Sequence, residues 1–501
     1  MRYQVLSQVF SASGNIGNFR PSTFVQPSAA CVNSFIATNL IDPTLCPIDN
    51  GIVVPGMPGV NKSTLNNYYG DWEPRIGAAW QVLPRVVIRS GFGIFGGRDA
   101  VSQTSSLGQQ GPDDRIATLF NTTYAGLAPF DPATPQPTES LKAQARNYKT
   151  PTSYQYNLST QYLLARNTSL EVDYVGSHQV HIGRNRNINQ VPDEFRAGVI
   201  QGELNGCPDP VPSPACVANP DTVRHFIGYS IINLNERAGS ASYNSLQVFF
   251  NQRVMHGLQF QAAYTYSKNL TDTINQDTEA STGPIQNAFD TRSERGVANQ
   301  DQTHSFVANF IWQLPFFEHN ANPYLKTALG GWQVVGITTF RSGLPANVCL
   351  DSDVAGTGDG AGSYECQRPD MVSNPNLSRG KRTINEFFDV NAFVERPFGA
   401  FGDATRNIIR GPGVNNWDLS VFKDFTVPWF GRHSGFLASE NATLQFRAEF
   451  FNAWNHTQFS GVNTTFQTQA PGLPSGNTNG FGSVSGARDP REIQFALKLT
   501  F

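Results

Sequence analysis

Apolar and polar residues alternate with a period of two in twelve segments of the chain, a pattern typical of β-strands whose two faces differ chemically. In the final segment the polar Gln494 and Lys498 occupy one face. The other face carries five apolar residues: Ile493, Phe495, Leu497, Leu499 and Phe501. The predicted strands are 2–10, 72–82, 85–95, 152–164, 168–177, 243–253, 258–268, 303–313, 332–341, 416–425, 442–452 and 491–501.

Most of these segments have the length that a tilted strand needs to cross a bilayer, about 9–11 residues. Strands of soluble sheets average nearer five or six residues. The first segment has the weakest alternation, because Ser7 falls on the face of Tyr3 and Val5. The pattern therefore predicts an all-β membrane protein, with 2–10 as its least certain strand.

Long and short connections alternate along the whole chain, as 83–84 and 96–151 illustrate. An antiparallel up-and-down barrel in an outer membrane has this rhythm, with short periplasmic turns and long external loops. Aromatic residues cluster near the predicted strand ends, as two girdles at the membrane surfaces would. On the short-turn side they are Trp80, Trp312, Phe316, Phe317, Trp332, Trp429 and Phe430, and on the other side Tyr266, Phe340, Trp417 and Trp454. The alternative interpretation is that these rings form the ordinary core of a soluble sheet.

The composition excludes further classes of protein. Hydrophobic residues make up 39% and charged residues 15% of the 501, with 45 Gly and 32 Pro. The net charge of -3, with no basic stripe, argues against a nucleic-acid partner. No apolar run approaches the roughly 18–20 residues of a spanning helix. We expect the apolar residues to form a lipid-facing band and not a conventional core, with the loops supplying Gly, Pro and polar residues.

The six cysteines form three near-neighbour couples, each within a long connection rich in Pro, Gly, Asn and Asp: Cys31 with Cys46, Cys207 with Cys216, and Cys349 with Cys366. Their spacing does not match a zinc site. Local disulfides would restrain these loops and would imply an oxidising compartment. Six unpaired thiols in a cytosolic chain are the alternative. The opening residues MRYQVLSQVF carry no secretory signal. Beside paired cysteines, this suggests an incomplete amino terminus.

Several blocks resemble the Oar-like branch of the TonB-dependent receptors. They include EPRIGAAW from Glu73, GLQFQAAYTYSKNLTD from Gly257, RNIIRGPGVNNWDLSVFKDF from Arg406 and LQFRAEFFNAWNHTQF from Leu444. The last strand, which ends in an aromatic residue, resembles the assembly signal of outer-membrane barrels. Its signal residues are Phe495, Leu497, Leu499 and Phe501.

The resemblance implies a barrel of about twenty-two strands around a plug in the outer membrane of a Gram-negative bacterium. Residues 1–501 show no block that resembles the plug, the energy-coupling box or the amino-terminal carboxypeptidase-regulatory-like domain, and we expect these parts to be missing from them. We therefore expect residues 1–501 to be the carboxyl-terminal part of a receptor, with about twelve of the strands. The implied partners are outer-membrane lipid, the barrel-assembly machinery through the last strand, and TonB only through the missing plug region.

Residues that could carry chemistry are few. Glu171, Asp173, Arg447 and Glu449 lie on polar strand faces, where we expect them to line the lumen and to pair across strands or contact a plug, in preference to binding ligand directly. The loop from Asp351 resembles the start of a calcium loop, but it lacks the third oxygen ligand and the bidentate Glu. No catalytic set is apparent, so we expect neither an enzyme nor a bound cofactor.

Two functions compete. The favoured one is a TonB-dependent outer-membrane receptor that moves an unidentified large solute and cannot transport alone without its plug. The alternative is a self-closed twelve-stranded porin or adhesin, which requires 2–10 to pair with 491–501. The ligand is not readable from the sequence, and its specificity should reside in the external loops and the plug.

Overall fold

The computed structural model describes most of the chain as an all-β molecule with a few short helices. The described residues are 1–6, 8, 10–97, 106–108, 133–273, 284–318, 321–359, 366–427, 442–468 and 479–500. Most of the Ser- and Gly-rich stretch 98–110, for which the sequence predicts a loop, lies outside them, as does Phe501.

The strands of the described residues fall into long ones, which match the predicted segments, and short ones within the connections. In chain order they are β1 (Arg2–Leu6), β2 (Asn18–Phe19), β3 (Ile52–Val53), β4 (Tyr68–Glu73), β5 (Arg75–Leu83), β6 (Val86–Gly96), β7 (Glu139–Gln144), β8 (Thr152–Ala165), β9 (Thr168–Asn187), β10 (Tyr229–Met255), β11 (Leu258–Thr271), β12 (Gly296–Val297), β13 (His304–Gln313), β14 (Trp332–Arg341), β15 (Pro345–Ala346), β16 (Cys349–Leu350), β17 (Asp370–Met371), β18 (Phe393–Val394), β19 (Ile409–Arg410), β20 (Val414–Val427), β21 (Ala442–Phe451), β22 (Phe459–Val462), β23 (Thr465–Phe466), β24 (Val484–Ala487) and β25 (Glu492–Thr500).

The helices lie in the connections: α1 (Ala29–Thr38), α2 (Asp193–Asn205) and α3 (Pro323–Leu329), with short 3-10 turns such as Pro21–Thr23. Ser28 caps α1 by accepting a hydrogen bond from the Cys31 amide. Among the helices described here, none is long and apolar enough to cross a membrane.

One large sheet carries the fold. Its strands follow one another in the order β5, β6, β8, β9, β10, β11, β13, β14, β20, β21 and β25, and each neighbouring pair is antiparallel. Tight turns join alternate pairs. In the turn between β10 and β11, His256 and Gly257 both have positive φ, 51° and 76°, a conformation that favours glycine. The predicted up-and-down meander is thus confirmed.

The first predicted strand is placed differently from the others. Residues Arg2–Leu6 pair with β4, not with β25, and β25 pairs with β21 in the part of the chain that the structure describes. Pro74 separates β4 from β5, because proline has no amide hydrogen to donate to a ladder. Closure of a twelve-stranded barrel through the first and last segments is therefore not the pairing observed.

Two central strands are longer than predicted. Strand β9 has 20 residues and β10 has 27, so both extend beyond the predicted segments 168–177 and 243–253. Their extensions pair with each other as far as Asn187 and Asn233. Strand β7 joins this extension in parallel with β10. The sheet therefore continues past the membrane-spanning length into the long connections.

The long connections contain buried apolar clusters, so the expectation of a lipid-facing band without a conventional core is wrong. One cluster joins residues of 348–409 to Phe466 and Phe481, and Phe388 at its centre is 1% exposed. A second cluster packs Phe19, Leu141 and Phe226 together although they belong to three different connections. Alternation alone does not reveal such clusters, because their members lie far apart in the sequence.

Three disulfides brace these connections. Cys31 is bonded to Cys46, Cys207 to Cys216 and Cys349 to Cys366, over sequence separations of 15, 9 and 17 residues. These are the same three pairs that the sequence spacing predicts. Each bond closes a local loop and removes conformational freedom from the unfolded chain.

Candidate functional site

The pairing register separates the sheet into an apolar and a polar face. On β21 and β25, Phe446 lies opposite Leu497 and Ala448 opposite Phe495, all on the apolar face. Phe495 and Leu497 are 68% and 69% exposed, as expected of side chains that face lipid. The predicted assembly signal also includes Leu499, which continues this face opposite Leu444, and Phe501, which is not among the described residues.

The four charged residues predicted for the lumen lie on the polar face, but in two separate places. Glu171 and Asp173 on β9 lie opposite Gln161 and Ser159, and the Ser159 hydroxyl donates to Glu171 Oε1 at 3.1 Å. The other two charged residues lie on β21, with Arg447 opposite Ala496 and Glu449 opposite Gln494. Five strands of the sheet separate β9 from β21. The structure therefore does not bring these residues together into one site.

A groove of about 510 Å³ opens near the β5 edge of the sheet. Gly91 and Gly93, on the polar face, leave space there beside Asn157. Arg75 covers one side, its guanidinium 4.3 Å from the centre of the Phe95 ring. The sequence holds a signal for this groove, two glycines two residues apart within the predicted strand 85–95, but glycines in a strand do not by themselves indicate a site.

Aromatic rings at both ends of the strands are exposed. Trp80 is 67% and Trp454 64% exposed, on opposite sides of the predicted membrane band. On the short-turn side, Lys423 lies on the apolar face with its Nζ 5.4 Å from the Trp332 ring, and it donates to the carbonyl of Gly330. A lysine on a lipid-facing surface typically packs its stem against apolar side chains and extends its ammonium to polar groups at the membrane surface. Two rings named from the sequence, Trp429 and Phe430, fall outside the described residues.

We call the folded long connections the crown. It comprises the described residues within 11–67, 133–151, 188–228, 284–302, 342–413 and 452–491. Buried ion pairs join its parts. Arg368 Nη1 donates to both carboxylate oxygens of Glu294, at 3.0 and 3.2 Å, and these side chains are 3% and 1% exposed. The crown is therefore one packed body and not a set of independent loops.

A second buried pair links the connection 188–228 to 342–413, which also contains Arg368. Arg224 donates to Asp359 at 3.1 Å and to Asp221 at 2.7 Å, and neither Arg224 nor Asp359 has an exposed side chain. The Asn187 amide adds a hydrogen bond of 2.7 Å to Asp359. Burying charges is costly unless they are paired and hydrogen-bonded in this way.

Arg406 anchors the crown to the end of β11. Its guanidinium is buried and donates to the carbonyls of Thr271 and Thr273. Burial lowers the Arg406 pKa to about 10, with the charge of Glu294 acting in the opposite direction. The side chain is still charged at neutral pH. Sequence reasoning missed all of these crown charges, because they lie in connections that have no periodic pattern.

The loop that resembles a calcium site is organised by protein donors. Asp353 accepts hydrogen bonds from the amides of Thr357 and Gly358 and from the Gln367 side chain. Asp351 accepts from Thr468. The part of the chain that the structure describes holds no cluster of three or more His, Cys, Asp or Glu that could bind a metal. Asp353 therefore stabilises the turn that follows it, and Asp351 joins this loop to the distant Thr468.

Comparison with solved structures finds similarity to transporters and receptors. The outer membrane transporter YddB from Escherichia coli aligns with 85% of this chain at 8% identity and a TM-score of 0.39. The FrpB iron transporter from Neisseria meningitidis, F3-3 variant, aligns with 85% at 7% identity and a TM-score of 0.37. BauA, the ferric preacinetobactin receptor from Acinetobacter baumannii, aligns with 85% at 9% identity and a TM-score of 0.36.

The aligned region spans 40%, 38% and 36% of the lengths of those three chains. No curated protein sequence matches this chain. The family model for the outer membrane beta barrel domain matches residues 1–494. With the antiparallel meander and its apolar outer face, this match places the protein in the outer membrane, and the chain belongs to the outer membrane beta barrel domain family.

Proposed function

We propose that this chain is the carboxyl-terminal barrel portion of a TonB-dependent receptor that moves a large solute across the outer membrane. The observation that carries the proposal is the meander topped by a crown, because the crown offers a folded recognition surface above the sheet. The Oar-like sequence blocks support the receptor class. The solute is unidentified, and the proposal assigns no catalytic step and no cofactor to the chain.

The edges of the sheet support a larger barrel. Among the described residues, β5 pairs with β6 and β25 with β21, and each has one side without a partner in the large sheet. Side chains on both faces of β5 are exposed, in contrast to those of the central strands. Edge strands of this kind accept further strands. We propose that these edges meet additional strands of the receptor, and that a plug fills the lumen against the polar face.

Contact with TonB tests the proposal. The protein would be expressed from its own gene in the native bacterium, with a tag in an exposed crown loop. The cells would be treated with formaldehyde as a cross-linker, and the isolated outer membranes would be probed for TonB. We expect a cross-linked species that disappears when TonB is depleted. A matched porin from the same membrane serves as the negative control. Absence of the species in cells that make both proteins would reject TonB dependence.

The porin alternative predicts a different result. A self-closed barrel of 501 residues would give a stable unit conductance in a planar bilayer and would migrate differently before and after heating. We expect no such unit conductance from the isolated chain. A reproducible channel would favour the porin, and it would contradict the proposed requirement for further strands.

A further inference from the structure

A cavity of about 390 Å³ lies in the crown, where the first and second long connections meet the extension of β10. Its walls include Pro21 and Pro58, whose rings stiffen the backbone. Phe19 and Leu234 line it as well, and both belong to a buried apolar cluster. The cavity is therefore preformed, and its volume is within the range of small-molecule sites, about 300–1,000 Å³.

Two arginines line this cavity, Arg20 and Arg146. Arg20 is half-buried, and its Nη2 donates to the carbonyl of Thr64 at 2.7 Å, which fixes the orientation of the guanidinium. Its Nε is buried and has no hydrogen-bond partner among the described residues. Arg146 is exposed, and within the same residues no carboxylate lies within 4.0 Å of either guanidinium.

This arrangement differs from that of two buried crown arginines. Arg224 and Arg368 each contact a carboxylate, so their charges are compensated within the protein. At Arg20, burial and the positive charge of Arg146 both lower the pKa of the guanidinium. Two like charges side by side in a cavity raise the free energy of the empty site. A bound anion would remove that repulsion.

We propose that this cavity binds a small solute through an oxyanion, a carboxylate or phosphate, held between Arg20 and Arg146. A guanidinium presents its donors as a planar fork that matches both groups. The apolar floor formed by Phe19 and Leu234 suits a solute with a nonpolar body beside its anionic group. The inference goes beyond the proposed function, because such binding requires neither a plug nor transport.

Binding can be measured by titration calorimetry on the folded full chain in detergent at low salt. Inorganic phosphate and citrate are the free probes, and lipopolysaccharide micelles test a lipid headgroup as the source of the same oxyanion. We expect at least one probe to bind and its affinity to fall tenfold or more in Arg146→Gln and in Arg20→Gln. Lys62→Gln is the matched control, since it removes an exposed charge that lies outside the cavity but in the same connection as Arg20. The affinity of this variant for the probe should equal that of the unmodified protein.

Arg146→Gln keeps the test valid if Arg20→Gln fails to fold, because the Arg146 side chain is exposed. Labelling with phenylglyoxal gives an independent readout: the bound probe should protect Arg146 from modification, as detected by mass spectrometry. Arginine-dependent binding of a free probe assigns a soluble ligand. Arginine-dependent binding of lipopolysaccharide alone assigns a headgroup, and the oxyanion site stands. If nothing binds, or if Arg146→Gln binds as well as Lys62→Gln does, the inference is wrong.

Discussion

Neutralising one member of the buried Arg368–Glu294 pair should loosen the crown locally. In Glu294→Gln, the Arg368 charge stays buried with the Ala404 carbonyl, which its Nε contacts at 2.9 Å, as its nearest remaining partner. Removing one partner of a buried pair costs about 3–5 kcal/mol. Because glutamine keeps one acceptor, we take the lower value, about 3 kcal/mol, which corresponds to roughly a hundredfold shift in a local opening equilibrium.

Amide hydrogen exchange in the detergent-folded protein measures this shift. Peptides that cover Glu294 and Arg368 should exchange about a hundred times faster in Glu294→Gln, while peptides of β13 and β14 should be unchanged. Asp193→Asn is the control, because Asp193 also contacts an arginine, Arg196, at 2.8 Å, and the Asp193 side chain is 86% exposed although that of Arg196 is only 4% exposed. Because water solvates the Asp193 carboxylate, its loss should cost less than the loss of the Glu294 carboxylate, nearer the roughly 0–1 kcal/mol of exposed pairs. The double variant Glu294→Leu with Arg368→Met should recover much of the loss.

Equal exchange in Glu294→Gln and Asp193→Asn would refute the reasoning. It would mean that burial does not govern the contribution of these pairs. If the double variant Glu294→Leu with Arg368→Met were less stable than Glu294→Gln, the shape of the pair would matter more than its charge.

Three further outcomes are expected. Replacing Cys349 and Cys366 together by serine should destabilise the crown by about 3 kcal/mol, seen as faster proteolysis of that region in detergent and unchanged cleavage of the barrel strands. Gly257→Ala should cost about 1 kcal/mol and reduce the heat-modifiable folded fraction, because the residue has φ of 76° and an added Cβ would lie 2.7 Å from the Gln313 carbonyl. Burial and Lys149 lower the His181 pKa, so the folded state binds its proton less readily, and stability near His181 should fall as the pH drops below about 6.5. Equal protection factors of nearby peptides at pH 7.5 and 5.5, after correction for the intrinsic exchange rate at each pH, would contradict this.

The sequence predicts the sheet well because its signals are local. Alternation along 442–452 and 491–501 places Phe446 and Leu497 on one face, and the register confirms it. Short turns identify neighbouring strands in the same way. The first segment is misplaced because its alternation is weak and its partner, β4, follows a connection of many residues.

The crown could not be predicted from the same signals. Arg368 and Glu294 are 74 residues apart, and Arg224 and Asp359 are 135 apart, with no periodicity to mark them as partners. The disulfides were predictable because each couple is close in sequence. The Arg20 cavity was not, since its lining residues come from separate connections and only packing brings them together.

The length of β10 gives the protein a continuous mechanical connection across the membrane. The strand starts at Tyr229 beside the crown, passes the cavity at Leu234 and ends at Met255, next to a short turn. At roughly 3.3 Å per residue its contour length is about 90 Å. It pairs with β9 from Asn233 to Gln252, with an irregularity in register between Glu236 and Ser240, and with β11 from Ala241 to Met255. A solute held in the cavity would therefore contact, at Leu234, the same strand that ends at the opposite surface, and the irregularity between Glu236 and Ser240 is the place where that strand can bend.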